Sequence, residues 1–293
     1  MDAADGSLTG VFTGGTPRVA AGLVAGQRNA FADKLDSAAQ AELAGYLGYY
    51  TAVLPIDTCV TSPGMDNRQN GSGYLTLTVK ARGAVTLAGK LSDGTAFSAS
   101  TTLLADGGGA YVPLFVPLYS RRGVFSGLLQ VTGGILPVQK RVAAHAAFEM
   151  PWLYPGSSAT ATADRFDATL GVFGAYYNSL PSLQAYYGGA DFAAEGQAWE
   201  VPLVFSATGA ISLGTGADNP AKATLKVTKT TGLFSGTFKG LANGLVTTLK
   251  HAGVLTRDGD IYLGEGAYVV PQKVTLGRVY TLKPSFQVMI ETE

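Results

Sequence analysis

The chain carries two histidines, His145 and His251, and one cysteine, Cys59, so base-assisted nucleophilic chemistry has few residues to draw on. A Ser/His/Asp relay needs a base beside a nucleophile on a sharp turn. "GVFSG" and "GLFSG" place their serine one position too late for a Gly-x-Ser-x-Gly elbow. Cys59 with a histidine would make a thiol nucleophile, but nothing local joins them. His145 and Glu149 would share a face only if "VAAHAAFEM" were helical. Two ligands do not make a metal site, so a solvated or capping pair is expected there. Asp258-Gly259-Asp260 has the start of a calcium loop without its third oxygen residue or closing glutamate, and reads first as a hairpin turn. We therefore assign no catalytic residue, no metal ligand and no cofactor. Paired carboxylates for sugar hydrolysis could come from any of 21 acidic residues, and sequence cannot give their separation.

The aromatic residues are more suggestive. Trp152, Tyr154, Tyr176, Tyr177, Tyr186, Tyr187 and Trp199 fall in the least regular part of the chain. Flat rings on loops of a rigid scaffold can stack on sugar faces, so these seven form the candidate ligand-binding set. The competing account is that they seal the end of a β-core.

Composition narrows the classes. Basic and acidic residues number 21 each, and charged residues make up only 14%. Without a basic surplus to neutralise phosphates, nucleic acid is not an expected partner. No apolar run reaches the length of a membrane-spanning helix, and the first residues do not form a signal peptide. With 39 glycines and a surface rich in Thr, Ser and Tyr, the composition suits an exported β-protein.

The elements that must position any site are strands. "YLTLTVKA" and "GAVTLAGKL" alternate with period two, and Asp93-Gly94 supplies a tight turn before "TAFSASTTLL". In "YVPLFVPLYS", Pro113 and Pro117 cannot donate ladder hydrogen bonds, so an edge or bulged strand is expected. The plan returns as "ATLKVTK", "GLFSGTFKG", an Asn243-Gly244 turn, "LVTTLKHAGVL" and "DIYLGEGAYVV". Residues 73–131 and 222–270 thus read as diverged copies of one antiparallel meander, joined by an irregular aromatic-rich connection over 135–200. "SLPSLQAYYGGADFAAEGQ" reads as loop. The spacing of Phe31, Leu35, Ala39, Leu43 and Leu47 predicts one helix within 28–47, ended by Gly45 and Gly48 and capping the β-core.

A glycine motif occurs three times, as "GSLTGVFTGG", "GVFSGLLQV" and "TGLFSGTFKG". By register Gly10, Gly127 and Gly236 stand among inward apolar residues, where a side chain is missing. Strands on both sides exclude a phosphate loop, which needs a helix behind it. The expected use is architectural: a sharply coiled sheet, or a neighbouring ring laid over bare backbone. The C-terminal "VTLGRVYTLKPSFQVMIETE" is the expected partner for a strand at residues 7–13.

"LAGYLGYYTAVLP", "GSGYLTLTVKARGAVTLAGKLSDGTAFSASTTL" and "VPLYSRRGVFSGLLQV" together resemble a Gly/Thr/Tyr-rich β-domain of large secreted or surface proteins of environmental bacteria. Its closing segment resembles "KTTGLFSGTFKG" and "HAGVLTRDGDIYLGEG", although Asp260-Ile261-Tyr262-Leu263-Gly264 replaces the usual Gly-Tyr-Phe-Leu-Gly and a tryptophan near "PLY" is missing. The resemblance implies export and a stalk, adhesion or matrix role, and brings no catalytic residues.

The expectations are therefore these. The fold is all-β and antiparallel, a strongly coiled barrel or two-sheet sandwich of two pseudo-repeated meanders with one N-terminal capping helix, continuous over 1–293. The function is a non-catalytic structural, adhesion or assembly module at the cell surface or outside the cell. The alternatives are a carbohydrate-binding module and, behind it, a hydrolase of an extracellular polymer. The partners are neighbouring domains or extracellular polysaccharide, with self-association through edge strands and no membrane span.

Overall fold

A computed structural model describes residues 7–12, 22–27, 31, 35, 37–105, 109–158, 160, 162–179, 183–189, 199–206, 210–242, 245–258 and 261–292. Among the described residues the fold is antiparallel β with one α-helix, as alternation and turn chemistry predict. It contains two large sheets, each wrapped round its own apolar cluster.

The second sheet is the simpler. Its eight strands run Ile211–Leu213, Trp199–Phe205, Leu183–Gly189, Ser285–Thr292, Ile261–Val269, Leu245–Asp258, Leu233–Ala242 and Thr224–Thr228. The two outermost strands come back against each other, so the sheet nearly closes into a barrel. Eight strands leave an interior that side chains can fill. Tyr187, Trp199, Val201, Phe234, Phe238, Val288 and Ile290 do so here.

The first sheet has twelve strands. A meander of Gly48–Leu54, Gly73–Val79, Ala84–Lys90 and Ala96–Thr102 forms one side. Strand Ala110–Leu118 pairs with Gly123–Thr132 along its length and lies against Ala96–Thr102, curling the sheet round Leu77, Leu87, Val112 and Phe125. Pro113 and Pro117 stand on its exposed face, and its other edge is paired only at Tyr111 and Ala110, as expected for a proline-bearing edge.

Strand Gly123–Thr132 forks. Its first residues pair with Pro151–Tyr154, and its last four with Arg141–Ala144, on the same edge. Gly127 lies at the fork with φ +151, a conformation that disfavours side chains, and a Cβ there would run into Met150 Sδ. Met150 is fully buried and fills the wedge between the branches. Gly236 answers the same question in the second sheet, where His251 from the paired strand covers it. Both glycines serve architecture and face inward, as the register predicts. Gly10 lies in strand Ser7–Phe12, and its surroundings fall outside the described residues.

Three expectations need correction. The helix is Ser37–Tyr46, shorter than 28–47, so Gly45 lies inside its last turn and Phe31 and Leu35 precede it. Phe31 is nevertheless fully buried, and Lys140 Nζ closes the helix end by donating to Leu47 O at 2.8 Å. Strand Ser7–Phe12 pairs with Gly22–Gln27 rather than with the C-terminal segment. Strand Ser285–Thr292 is occupied on both edges by Leu183–Gly189 and Ile261–Val269, which leaves no edge for a further partner. The connection 135–200 is also more regular than it reads: it supplies strands Arg141–Ala144, Pro151–Tyr154, Phe166–Leu170, Phe173–Tyr176 and Leu183–Gly189.

Residues 73–131 contribute to the first sheet and 222–270 to the second, and the sheets meet along a seam. Tyr49 OH donates to Thr231 O at 3.0 Å and Tyr177 OH to Lys229 O at 2.7 Å, so two rings from the first half grip a hairpin of the second. Thr256 Oγ1 donates to Thr51 O at 2.9 Å. Nearby, Asn67, Gln69, Ser72, Ser92 and Ser285 are buried polar residues. Asn67 Oδ1 accepts from Lys283 N at 2.8 Å, and Gln69 Nε2 donates to Lys283 O at 3.1 Å. Buried polar groups that find partners in this way fix a geometry, because every alternative placement leaves one unpaired.

Candidate functional site

An open concavity of about 740 Å³ lies on the outer face of the first sheet. Period-two alternation builds its floor. Val116, Phe125, Trp152 and Phe166 point into the core. Their neighbours Phe115, Pro117, Val124, Leu153 and Asp167 point out and line the groove. Hairpin residues Arg121 and Arg122 line one wall and loop residues Pro155, Ser158, Thr162 and Arg165 the other, which brings three guanidinium groups to the groove.

The hairpin is unusual in its backbone. Tyr119, Ser120 and Arg121 follow one another at φ 52, 58 and 67, and none is glycine. Left-handed conformations cost roughly 1–2 kcal/mol per L-residue, so surrounding contacts must hold them. The holding group is the Tyr119 side chain. Its hydroxyl donates to Asp93 Oδ2 at 2.8 Å and accepts from Trp152 Nε1 at 2.9 Å. Asp93 in turn accepts from Thr95 N and Thr95 Oγ1, both at 2.8 Å. Burial, with the Asp93 carboxylate second, pushes the Tyr119 phenol far above its ordinary range, so it stays a neutral donor.

The opposite wall is held in the same manner. Asp164, fully buried, accepts Ser157 N on both carboxylate oxygens at 3.1 Å and Tyr154 OH at 3.3 Å. Arg122 reaches over the loop and donates to Gly156 O and Ser157 O. The Tyr119 and Tyr154 rings meet edge to face at 4.8 Å. Arg121 and Arg165 make no ion pair or side-chain hydrogen bond among the described residues. The result is a preorganised surface of apolar floor, aromatic wall and uncommitted guanidinium groups. Guanidinium binds carboxylate or sulfate through paired hydrogen bonds.

The seven aromatic residues expected to form a binding set are dispersed. Trp152 is fully buried in the first core and acts on the groove only through Tyr119. Tyr154 alone lines the groove. Tyr176 packs edge-on against Tyr50, and Tyr177 locks the seam. Tyr187 and Trp199 are buried in the second core, while Tyr186, on the outward face of the same strand, is 40% exposed. The arginines of "YSRRG" were not singled out from sequence. A double arginine in a turn with no glycine until Gly123 was the available signal.

His145 and Glu149 do not share a helix: the chain is a strand to Ala144 followed by a turn, and His145 Nδ1 accepts from Ala147 N at 3.1 Å. Cys59 sits half-buried in strand Ile56–Thr61, where burial raises its thiol pKa. Asp258 pairs with Arg141 across the seam at 3.1 Å, while Gly259, Asp260 and the Asn243-Gly244 turn lie outside the described residues. Among the described residues no group of three His, Cys, Asp or Glu side chains could hold a metal, and no helix is long and apolar enough to cross a membrane. No protein-family model matches the chain, and the comparison with curated proteins also found no match.

Proposed function

We propose that the protein is a non-catalytic adhesion or assembly module of a secreted or cell-surface bacterial protein, and that it works by binding extracellular polysaccharide. The observation that carries this reading is the groove itself. It opens to solvent, its floor is apolar, and its walls are fixed by hydrogen bonds from Tyr119 and Tyr154. A long polymer needs such an open trough, whereas a small substrate is bound in a pocket that surrounds it. Fixing the walls in advance lowers the ordering cost of binding. The resemblance to β-domains of large exported proteins points the same way.

The test is retention on immobilised extracellular polysaccharides, followed by assay of the eluted polymer for new reducing ends. Retention with an unchanged polymer length is expected. Shortened polymer would overturn the non-catalytic reading and promote the hydrolase.

A further inference from the structure

Arg122 and Tyr154 line both the arginine groove and a smaller hollow of about 240 Å³ beneath the Tyr119 hairpin. Asp93 and Lys283 line both that hollow and a cleft of about 580 Å³ between the two sheets, so the three adjoin along one path. The cleft brings Lys90 and Tyr74 from the first sheet opposite Lys250 from the second. Asn67 and Gln69 hold Lys283 at the crossing point through its backbone, so the path is bridged by the buried polar seam.

The charge along this path is one-sided. Arg121, Arg122, Arg165, Lys283, Lys90 and Lys250 line it, against the carboxylates of Asp167 and Asp93. Asp93 is already engaged by Tyr119 and Thr95. Of the six cations only Arg122 has a side-chain hydrogen bond or ion pair among the described residues. The whole chain has zero net charge, so this excess is local and is balanced elsewhere.

We propose that the path is one continuous track for an acidic polysaccharide, laid across both sheets, whose uronate or sulfate groups meet the uncommitted cations. This rests on the adhesion reading above and names its ligand class. A neutral glycan would leave five cations without purpose. Nucleic acid fits less well, because the track exposes few rings for base stacking.

The full chain would be titrated with polygalacturonate, dextran and duplex DNA, and binding followed by affinity electrophoresis. Two pairs of substitutions probe the ends: Arg121→Asn with Arg165→Ser in the groove, and Lys250→Ser with Lys283→Ser at the cleft. Asparagine tolerates the positive φ at position 121, and an unchanged melting temperature ties any loss to binding. Polygalacturonate should bind, each pair should weaken it roughly ten-fold, and all four together should weaken it further. Equal binding of DNA, or loss from only one pair, would overturn the track. Dextran binding that ignores all four substitutions would keep the adhesion reading and remove the acidic ligand. Absence of binding to every polymer would remove both.

Discussion

The two sheets solve one backbone problem with different chemistry. In the first, Gly89 pairs with Leu75 on one side and Phe97 on the other; in the second, Gly236 pairs with Leu225 and His251. A Cβ at Gly89 would run into the carbonyl of Tyr74 and lie 2.6 Å from Phe97 Cζ. One at Gly236 would run into the carbonyl of Thr224 and lie 2.6 Å from His251 Nε2. Each strand is stripped of a side chain, and its neighbour's ring closes on the space. The first sheet uses a hydrocarbon ring. The second uses an imidazole, and its Nε2 is hydrogen-bonded to the buried Tyr187 hydroxyl. The lesson is that close approach demands a ring but does not dictate its polarity. The polar choice makes the second core sensitive to protons.

The strongest way to break this parallel is to restore the missing side chain. Gly89→Ala and Gly236→Ala should each cost about 3 kcal/mol or more, because the obstacle is a carbonyl of the paired strand rather than a mobile side-chain tip. Denaturant melts of both variants would check it. A gain in stability in either would refute the close approach.

Next in size is the response to acid. Burial lowers the His251 pKa to about 4 from an ordinary 6.5. Between these values the unfolded chain binds a proton that the folded chain refuses. The stabilisation from the neutral ring is therefore complete above pH 6.5 and falls away as pH drops toward 4, by about 3 kcal/mol. His251→Phe, which copies the first sheet's solution, should flatten that limb of the stability profile. An unchanged acid limb would mean that other groups govern it.

Smaller is the effect of Tyr119→Phe. It removes the donor to Asp93 and leaves Trp152 Nε1 buried without its acceptor, at a cost of about 2 kcal/mol. Release of the left-handed turn should also weaken polymer binding beyond what the stability loss explains. Smallest is Arg165→Ser, an exposed change expected to shift stability by no more than about 0.5 kcal/mol. A large loss there would mean that the groove rim supports the fold.

Much of the frame was legible because period-two alternation is a local signal. Leu75, Leu77 and Val79 point inward and Thr76 and Thr78 do not, as read from "YLTLTVKA". Leu225 and Val227 are the more covered residues of their strand, with Lys226 exposed. Strands of four or five residues such as Arg141–Ala144 and Pro151–Tyr154 are too short to show a period, so their stretch read as irregular. The partner of Ser285–Thr292 was misjudged because strand order is a property of the whole chain. The glycine register gave Gly127 its inward face, but only the fork explains why Met150 covers it. The aromatic residues were visible, yet ring type alone does not tell a stacking platform from a core wedge. Arg121 and Arg122 are neighbours in one turn, but the approach of Arg165 to them depends on the pairing of strands far apart in sequence.

Strand Ser285–Thr292 has one more consequence. It is held on both edges by antiparallel ladders, to Leu183–Gly189 and to Ile261–Val269. Inter-strand hydrogen bonds run across the strand axis. Tension along this strand would load both rows in shear together, instead of peeling them open one bond at a time. A tethered module built this way would resist drag without any covalent cross-link.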